Sequence, residues 1–184
     1  PDTLFAEATF SASNGHPIAL AVGNARASGY PLTPADLIDK AFWAVDSVAD
    51  VEAKWAQATA AQPKLVKIIL VDANDEASRI DPGNEGKTGV RPELVPEIVR
   101  RAHASGARVA AHVQTADDAR IAVEAGVDIV EVGVPYSDPV MDGPLIQAAA
   151  AAALEAGTRV DDVFTATAAV REAGAPPIPM TYWN

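Results

Sequence analysis

The chain has 184 residues, a size that suits one domain with a substantial core or two very small ones. Its net charge of −11 argues against a nucleic-acid or anionic-membrane surface, and the absence of cysteine excludes disulfides, thiol nucleophiles and cysteine metal sites. No apolar run approaches membrane-spanning length and no basic-then-apolar leader is present. We therefore predict a cytoplasmic protein without a membrane or nucleic-acid partner.

The N-terminal third of the chain carries the weaker structural signals. Residues 3–10 predict short strands or a frayed helix, and the apolar run at 18–22 predicts a buried strand that stops at Gly23. Thr33-Pro34 is typical of a helix start, which predicts a short helix over residues 35–43. Ser47 begins a second predicted helix, whose pattern is clearer than that of residues 35–43 because Val51, Trp55 and Ala58 lie on one face.

From Leu65 onward, strand and helix patterns alternate. Such alternation is typical of parallel βαβ units with right-handed crossovers. Residues 72–89 interrupt it with a long polar loop, and loops of this length are usually functional or disordered. The predicted strands are 65–71, 108–113, 127–132 and 176–182, and the predicted helices are 91–104, 116–125, 145–156 and 160–172.

These patterns predict five or six strands, whereas a complete (βα)8 barrel has eight in about 250 residues. We predict one α/β domain over residues 1–184, a partial or chimeric TIM (βα)-barrel with parallel strands. The alternatives are a barrel completed by a second copy and an open α/β sheet.

A strand followed by an acid-containing loop is the most informative stretch, VDIVEVGVPYSDPVMDGPLIQ at residues 127–147. Glu131 lies near the end of a β-branched run, and Asp142 lies on the loop that follows. A carboxylate in such a run is costly unless it is paired, exposed at the strand end or functional. In an α/β barrel, catalytic groups lie at the carboxyl ends of the strands.

This stretch resembles the tryptophan synthase α subunit, and the likeness runs from about residue 126 to the PMTYWN end. The resemblance implies that Glu131 is the general acid/base, and that Asp142 is the second carboxylate, which holds the indole nitrogen proton of indole-3-glycerol phosphate. It also implies a β-subunit surface on residues 135–143. The alternative is that both acids are inherited residues without a catalytic role.

Residues 16–128 resemble a metal-dependent amidohydrolase of the imidazolonepropionase and prolidase-like kind. The resemblance rests on LVKI at 65–68, PELVPEIVRRAHASG at 92–106 and AAHV at 110–113. It implies that Lys67 and His112 are metal ligands, with zinc as the metal. The first-strand His-x-His pair of that family has no counterpart here. The alternatives are an exposed end-of-strand lysine and a core or rim histidine, with His16 in a loop and His103 on a helix surface.

Together these resemblances predict a chimera, amidohydrolase-like over 1–126 and tryptophan synthase α-like over 127–184. The predicted function is a (βα)-barrel scaffold without efficient catalysis. The alternatives are a lyase that cleaves indole-3-glycerol phosphate to indole, and a metal-dependent amidohydrolase. We expect no cofactor for the scaffold or the lyase, and zinc for the hydrolase. A second copy that completes the barrel and a tryptophan synthase β subunit are the expected partners.

Overall fold

Six parallel strands form one sheet in the computed structural model, which describes residues 6–138 and 144–181. The strand order is β2-β1-β3-β4-β5-β6, so β2 and β6 are the edge strands of the described sheet. Every neighbouring pair is parallel. The strands are β1 (Ala6–Ser11), β2 (Trp43–Ala44), β3 (Leu65–Leu70), β4 (Arg108–Val113), β5 (Ile129–Gly133) and β6 (Pro177–Met180).

Seven α-helices connect these strands within the described residues, together with three short 3-10 turns. The 3-10 turns are Pro34–Asp36, Pro82–Asn84 and Pro92–Leu94. The helices are α1 (Ile18–Ala27), α2 (Val48–Ala58), α3 (Glu76–Ile80), α4 (Val95–Ala104), α5 (Ala116–Glu124), α6 (Pro144–Glu155) and α7 (Val160–Glu172).

The two faces of the sheet differ in their cover. Side chains alternate between the faces along each strand, and paired residues of neighbouring strands share a face. One face is packed against helices α2, α4, α5 and α7 and contains the main core. Its strand residues are completely buried: Phe10, Val66, Ile68, Val109, Ala111 and Val130.

The opposite face is less covered, and in a closed barrel it would be the interior. Lys67 and Glu131 lie on it and are half-buried, and Ile178 and Met180 on β6 are 48% and 42% exposed. Polar side chains on this face therefore keep access to solvent.

The predicted fold class is confirmed, because an all-parallel sheet alternates with helices and five of its strands follow in chain order. The helix behind Ser47 is also confirmed: the Ser47 side chain accepts a hydrogen bond from Asp50 N, and Trp55 stacks on Phe10 with ring centroids 5.5 Å apart. Within the described residues, no helix has the length and apolarity to cross a membrane.

The predicted strand at 18–22 is wrong, because these residues begin helix α1. Only Ile18 of the run is buried, and Ala21 N donates to Pro17 O, as in a helical turn. Alanine favours helix, and a short apolar run does not by itself separate strand from helix.

The predicted helix at 35–43 is also wrong. Its start signal produces only the 3-10 turn Pro34–Asp36, after which the chain reverses at Asp39 with φ 56°. This turn buries Phe42 and lets Trp43 pair with Phe10 of β1. Tertiary burial therefore outweighs the local helix signal. The loop predicted at 72–89 contains the short helix α3 and the turn Pro82–Asn84.

Candidate functional site

Three side chains from neighbouring strands meet on the open face. Lys67 lies on β3, His112 lies near the end of β4, and Glu131 lies on β5. His112 pairs in register with Ile69, two residues beyond Lys67, so both side chains point to the same face. The register between β4 and β5, Ala111 with Val130, continues to place His112 beside Glu131.

Glu131 is the centre of this cluster, because each of its oxygens has its own partner. Lys67 Nζ lies 2.8 Å from Oε1, and His112 Nδ1 lies 3.1 Å from Oε2. The side chains of Lys67, His112 and Glu131 are 29%, 27% and 19% exposed. The cluster is thus half-buried, where charges interact more strongly than on an exposed surface.

The pKa of Glu131 reflects two opposing effects. Burial by itself raises the pKa, but the hydrogen bonds from His112 and Lys67 and the charges of these two groups outweigh burial and lower the pKa of Glu131 below its usual value of 4.5. The group is therefore a carboxylate at neutral pH. A carboxylate can accept protons and hydrogen bonds but has no proton to donate.

His16 joins the cluster from the segment between β1 and α1. Its ring stacks on that of His112, with centroids 5.5 Å apart and planes 3° apart. Backbone bonds fix its place: His16 N donates to Thr88 O, and Ser11 Oγ donates to His16 O at 2.7 Å. Burial, followed by the charges of His112 and Lys67, lowers the pKa of His16 below 6.5.

Sequence reasoning placed His16 in a loop and did not connect it with His112. No local pattern links the two residues, because the contact depends on the loop at 72–89, which brings Thr88 beside Gly15. The expectation of an exposed end-of-strand lysine does not describe Lys67, which lies in the middle of β3 and is paired.

The donor set does not fit a zinc pair. Lys67 is engaged as an ammonium group with Glu131, and His112 directs Nδ1 to the same carboxylate. Among residues 6–138 and 144–181, no group of three or more histidine, cysteine, aspartate or glutamate side chains is arranged to hold a metal. Zinc on Lys67 and His112 stays a prediction, which elemental analysis of the purified protein would test.

Asp142, the second carboxylate of the predicted lyase site, lies outside the described residues. The loop that leads to it is described to Asp138, and Pro135 and Tyr136 line a cavity of about 390 Å³ with Leu154 and Val163. Tyr136 contacts Thr181 through a hydrogen bond between their hydroxyls.

Asp118 is a buried carboxylate that sequence reasoning missed. Its side chain accepts hydrogen bonds from four backbone N–H groups, those of Asp72, Ala73, Gln114 and Thr115, at 2.8 to 3.3 Å. It thereby ties the loop after β3 to the loop after β4. The signal in the sequence was the Thr115-x-x-Asp118 capping box at the start of α5.

Comparisons with known proteins confirm one of the two resemblances. Residues 106–184 match the sequence model of the family described as "Tryptophan synthase alpha chain". The tryptophan synthase alpha chain of Nocardia farcinica is 62% identical over 65 residues, which are 35% of this chain and 24% of that protein. The alpha chain of Mycobacterium intracellulare is 42% identical over 117 residues, 59% of this chain and 38% of that protein.

The chain spans about a quarter of the length of the first curated relatives that it matches. Among solved structures, Aspergillus niger ochratoxinase aligns with 98% of this chain and 46% of its own, with a TM-score of 0.58 and 17% identity. At that identity the likeness shows a shared fold and does not bear on activity. The amidohydrolase resemblance of residues 16–128 stays a prediction.

Proposed function

We propose that this chain is a (βα)-barrel-type scaffold in which Glu131 is an ion-pair acceptor and not an efficient acid catalyst. The observation that supports this proposal is the double engagement of its carboxylate, with Lys67 on one oxygen and His112 on the other. The cluster joins β3, β4 and β5, so it connects the predicted amidohydrolase-like part with the tryptophan synthase α-like part.

The chemistry of the related family explains why such a carboxylate is a poor acid. Cleavage of indole-3-glycerol phosphate requires protonation of an indole carbon and removal of a hydroxyl proton. A catalytic acid works best with a pKa near the operating pH, whereas the pKa of Glu131 is lowered. Its partners also occupy both oxygens that would otherwise approach a substrate.

A lyase of the tryptophan synthase α type is the second candidate. It is favoured by the family match over residues 106–184 and by the location of Glu131 on β5, two residues before the strand ends at Gly133. In this alternative, Glu131 and Asp142 carry out the proton transfers. Glu131 would then have to leave Lys67 when the substrate binds.

Indole formation from indole-3-glycerol phosphate separates the two candidates. If the chain is a scaffold, the wild type releases no more indole than Glu131→Gln. If it is a lyase, Glu131→Gln abolishes indole release, and Lys67→Met changes its rate by freeing Glu131. Lys54→Met is the matched control, because it breaks another partly exposed pair, Lys54 with Asp39 at 2.8 Å, outside the cluster.

A second copy that completes the barrel is the predicted partner, and the edges of the described sheet are poorly suited to pairing with it through backbone hydrogen bonds. The β6 edge is unsuited to strand pairing: Pro176 O accepts from Val130 N, so the backbone groups of Pro177 and Pro179 point outward and offer no N–H. At the other edge, β2 has only two residues. Short strands and prolines are common protections of sheet edges.

Light scattering on the wild type and on Pro177→Val/Pro179→Val tests this assignment of the edges. Restoring two N–H groups should increase the molar mass or cause aggregation. An unchanged molar mass would show that proline does not protect this edge.

Binding of a tryptophan synthase β subunit through residues 135–143 is a separate expectation, which a pull-down with a purified β subunit would test.

A further inference from the structure

The geometry of the cluster points to a reactive group other than Glu131. We propose that His112 is a nucleophilic imidazole, with Nδ1–H held by Glu131 and the Nε2 lone pair available to attack an activated acyl group. The proposal goes beyond the scaffold function, because it assigns a chemical reactivity and a substrate class to the cluster. It gives Glu131 the part of a positioning residue.

The hydrogen bond at 3.1 Å determines which nitrogen of His112 carries the proton. Glu131 already accepts a hydrogen bond from Lys67 and is ionised, so it has no proton to donate to Nδ1. Nδ1 must therefore be the donor. In a neutral imidazole with Nδ1–H, the other nitrogen carries a lone pair.

Nε2 is the free end of this arrangement. No described residue makes a hydrogen bond with it, and the His112 side chain is 27% exposed. His16 covers one side of the ring, which fixes the plane of the imidazole and leaves its edge uncovered by that contact. Histidine is itself one of the side chains that form covalent intermediates, and the hydrogen bond made by one ring nitrogen sets the state of the other.

The reaction with an ester probe balances without a cofactor. Nε2 attacks the carbonyl carbon of p-nitrophenyl acetate, the carbon–oxygen bond breaks, and p-nitrophenolate leaves with the electron pair. The acetyl-imidazolium keeps its Nδ1 proton directed at Glu131. Water then attacks the acetyl carbon, the carbon–nitrogen bond breaks, acetate is released, and the protons of water pass to solvent.

Nitrogen-15 NMR of the histidine side chains tests the tautomer directly, because the chain has only three histidines. We expect His112 as the Nδ1–H tautomer in the wild type. Glu131→Leu should convert it to the Nε2–H form, whereas Lys67→Met should leave it unchanged, because it keeps the Glu131 carboxylate. An Nε2–H tautomer in the wild type, or a tautomer unaffected by Glu131→Leu, would overturn the proposal.

Release of p-nitrophenolate tests the reactivity. His112→Phe and Glu131→Leu should each slow it by about a hundredfold or more, the low end of the effect of a positioned acid–base group. His103→Phe should slow it less, because His103 also pairs with a carboxylate, that of Asp128, but is 44% exposed and lies on α4 outside the cluster. Equal rates in the wild type and His112→Phe would refute the assignment. If circular dichroism shows that Glu131→Leu does not fold, the double variant Lys67→Met/Glu131→Leu, which also removes the unpaired cation, takes the place of Glu131→Leu in both measurements.

Discussion

The Lys67–Glu131 pair should stabilise the fold measurably, which a double-mutant cycle can test. At 2.8 Å and an effective dielectric constant of about 20, the Coulomb attraction is about 6 kcal/mol. Desolvation of two half-buried charges costs several kcal/mol and offsets most of it. We therefore expect a coupling free energy of about 1–2 kcal/mol, above the usual range of exposed pairs.

The assay is urea unfolding of the wild type, Lys67→Met, Glu131→Gln and the double variant, followed by circular dichroism. The matched control is the exposed pair of Arg120 with Asp117, whose side chains are 53% and 63% exposed. Its coupling should be smaller and should be more sensitive to salt. A Lys67–Glu131 coupling below about 0.3 kcal/mol would refute the reasoning, because independent sites agree within that range.

Three further predictions concern His16, Asp118 and two glycines. Because burial lowers the pKa of His16, its contribution to the free energy of unfolding should be fully present above pH 6.5 and should decrease as the pH falls below 6.5. His16→Asn should flatten this pH dependence in urea unfolding. Asp118→Ala should cost about 3 kcal/mol in urea unfolding by leaving four N–H groups without their acceptor, and a loss under about 1 kcal/mol would contradict this role. Gly89→Ala should destabilise the fold by about 2 kcal/mol, because its Cβ would lie 2.4 Å from Val71 N. Exposed Gly23→Ala in α1 should stabilise it by about 0.5–1 kcal/mol in the same assay. Equal effects of the two substitutions would contradict the contact argument.

The strongly periodic elements could be predicted from the sequence. Strand Arg108–Val113 and helix Val160–Glu172 have the predicted bounds, and α5 begins at the predicted residue 116 with Thr115 as its N-cap. The strand buries Val109 and Ala111 in the main core, and the helix buries Val170 there. Local chemistry is sufficient where burial and propensity agree.

The remaining elements depend on contacts between distant residues. The run at 18–22 forms a helix that packs Ile18 against Leu37 and Phe42. Residues 35–43 turn because Phe42 becomes buried. Neither outcome is encoded in a local period. The same holds for the pair of histidines, since His16 meets His112 only through the backbone bonds of Thr88.

The cluster itself follows from strand register and does not require a common origin of its members. Parallel strands joined in register place side chains of neighbouring strands on one face of the sheet, whichever sequences supply them. Lys67 comes from the predicted amidohydrolase-like part, whereas Glu131 belongs to the segment that matches tryptophan synthase alpha chains. A carboxylate for which the family resemblance implies proton transfer then meets a lysine and a histidine from the neighbouring strands. Its hydrogen bonds decide its chemistry here, which is why the tautomer of His112 is more informative about this chain than the identity of Glu131.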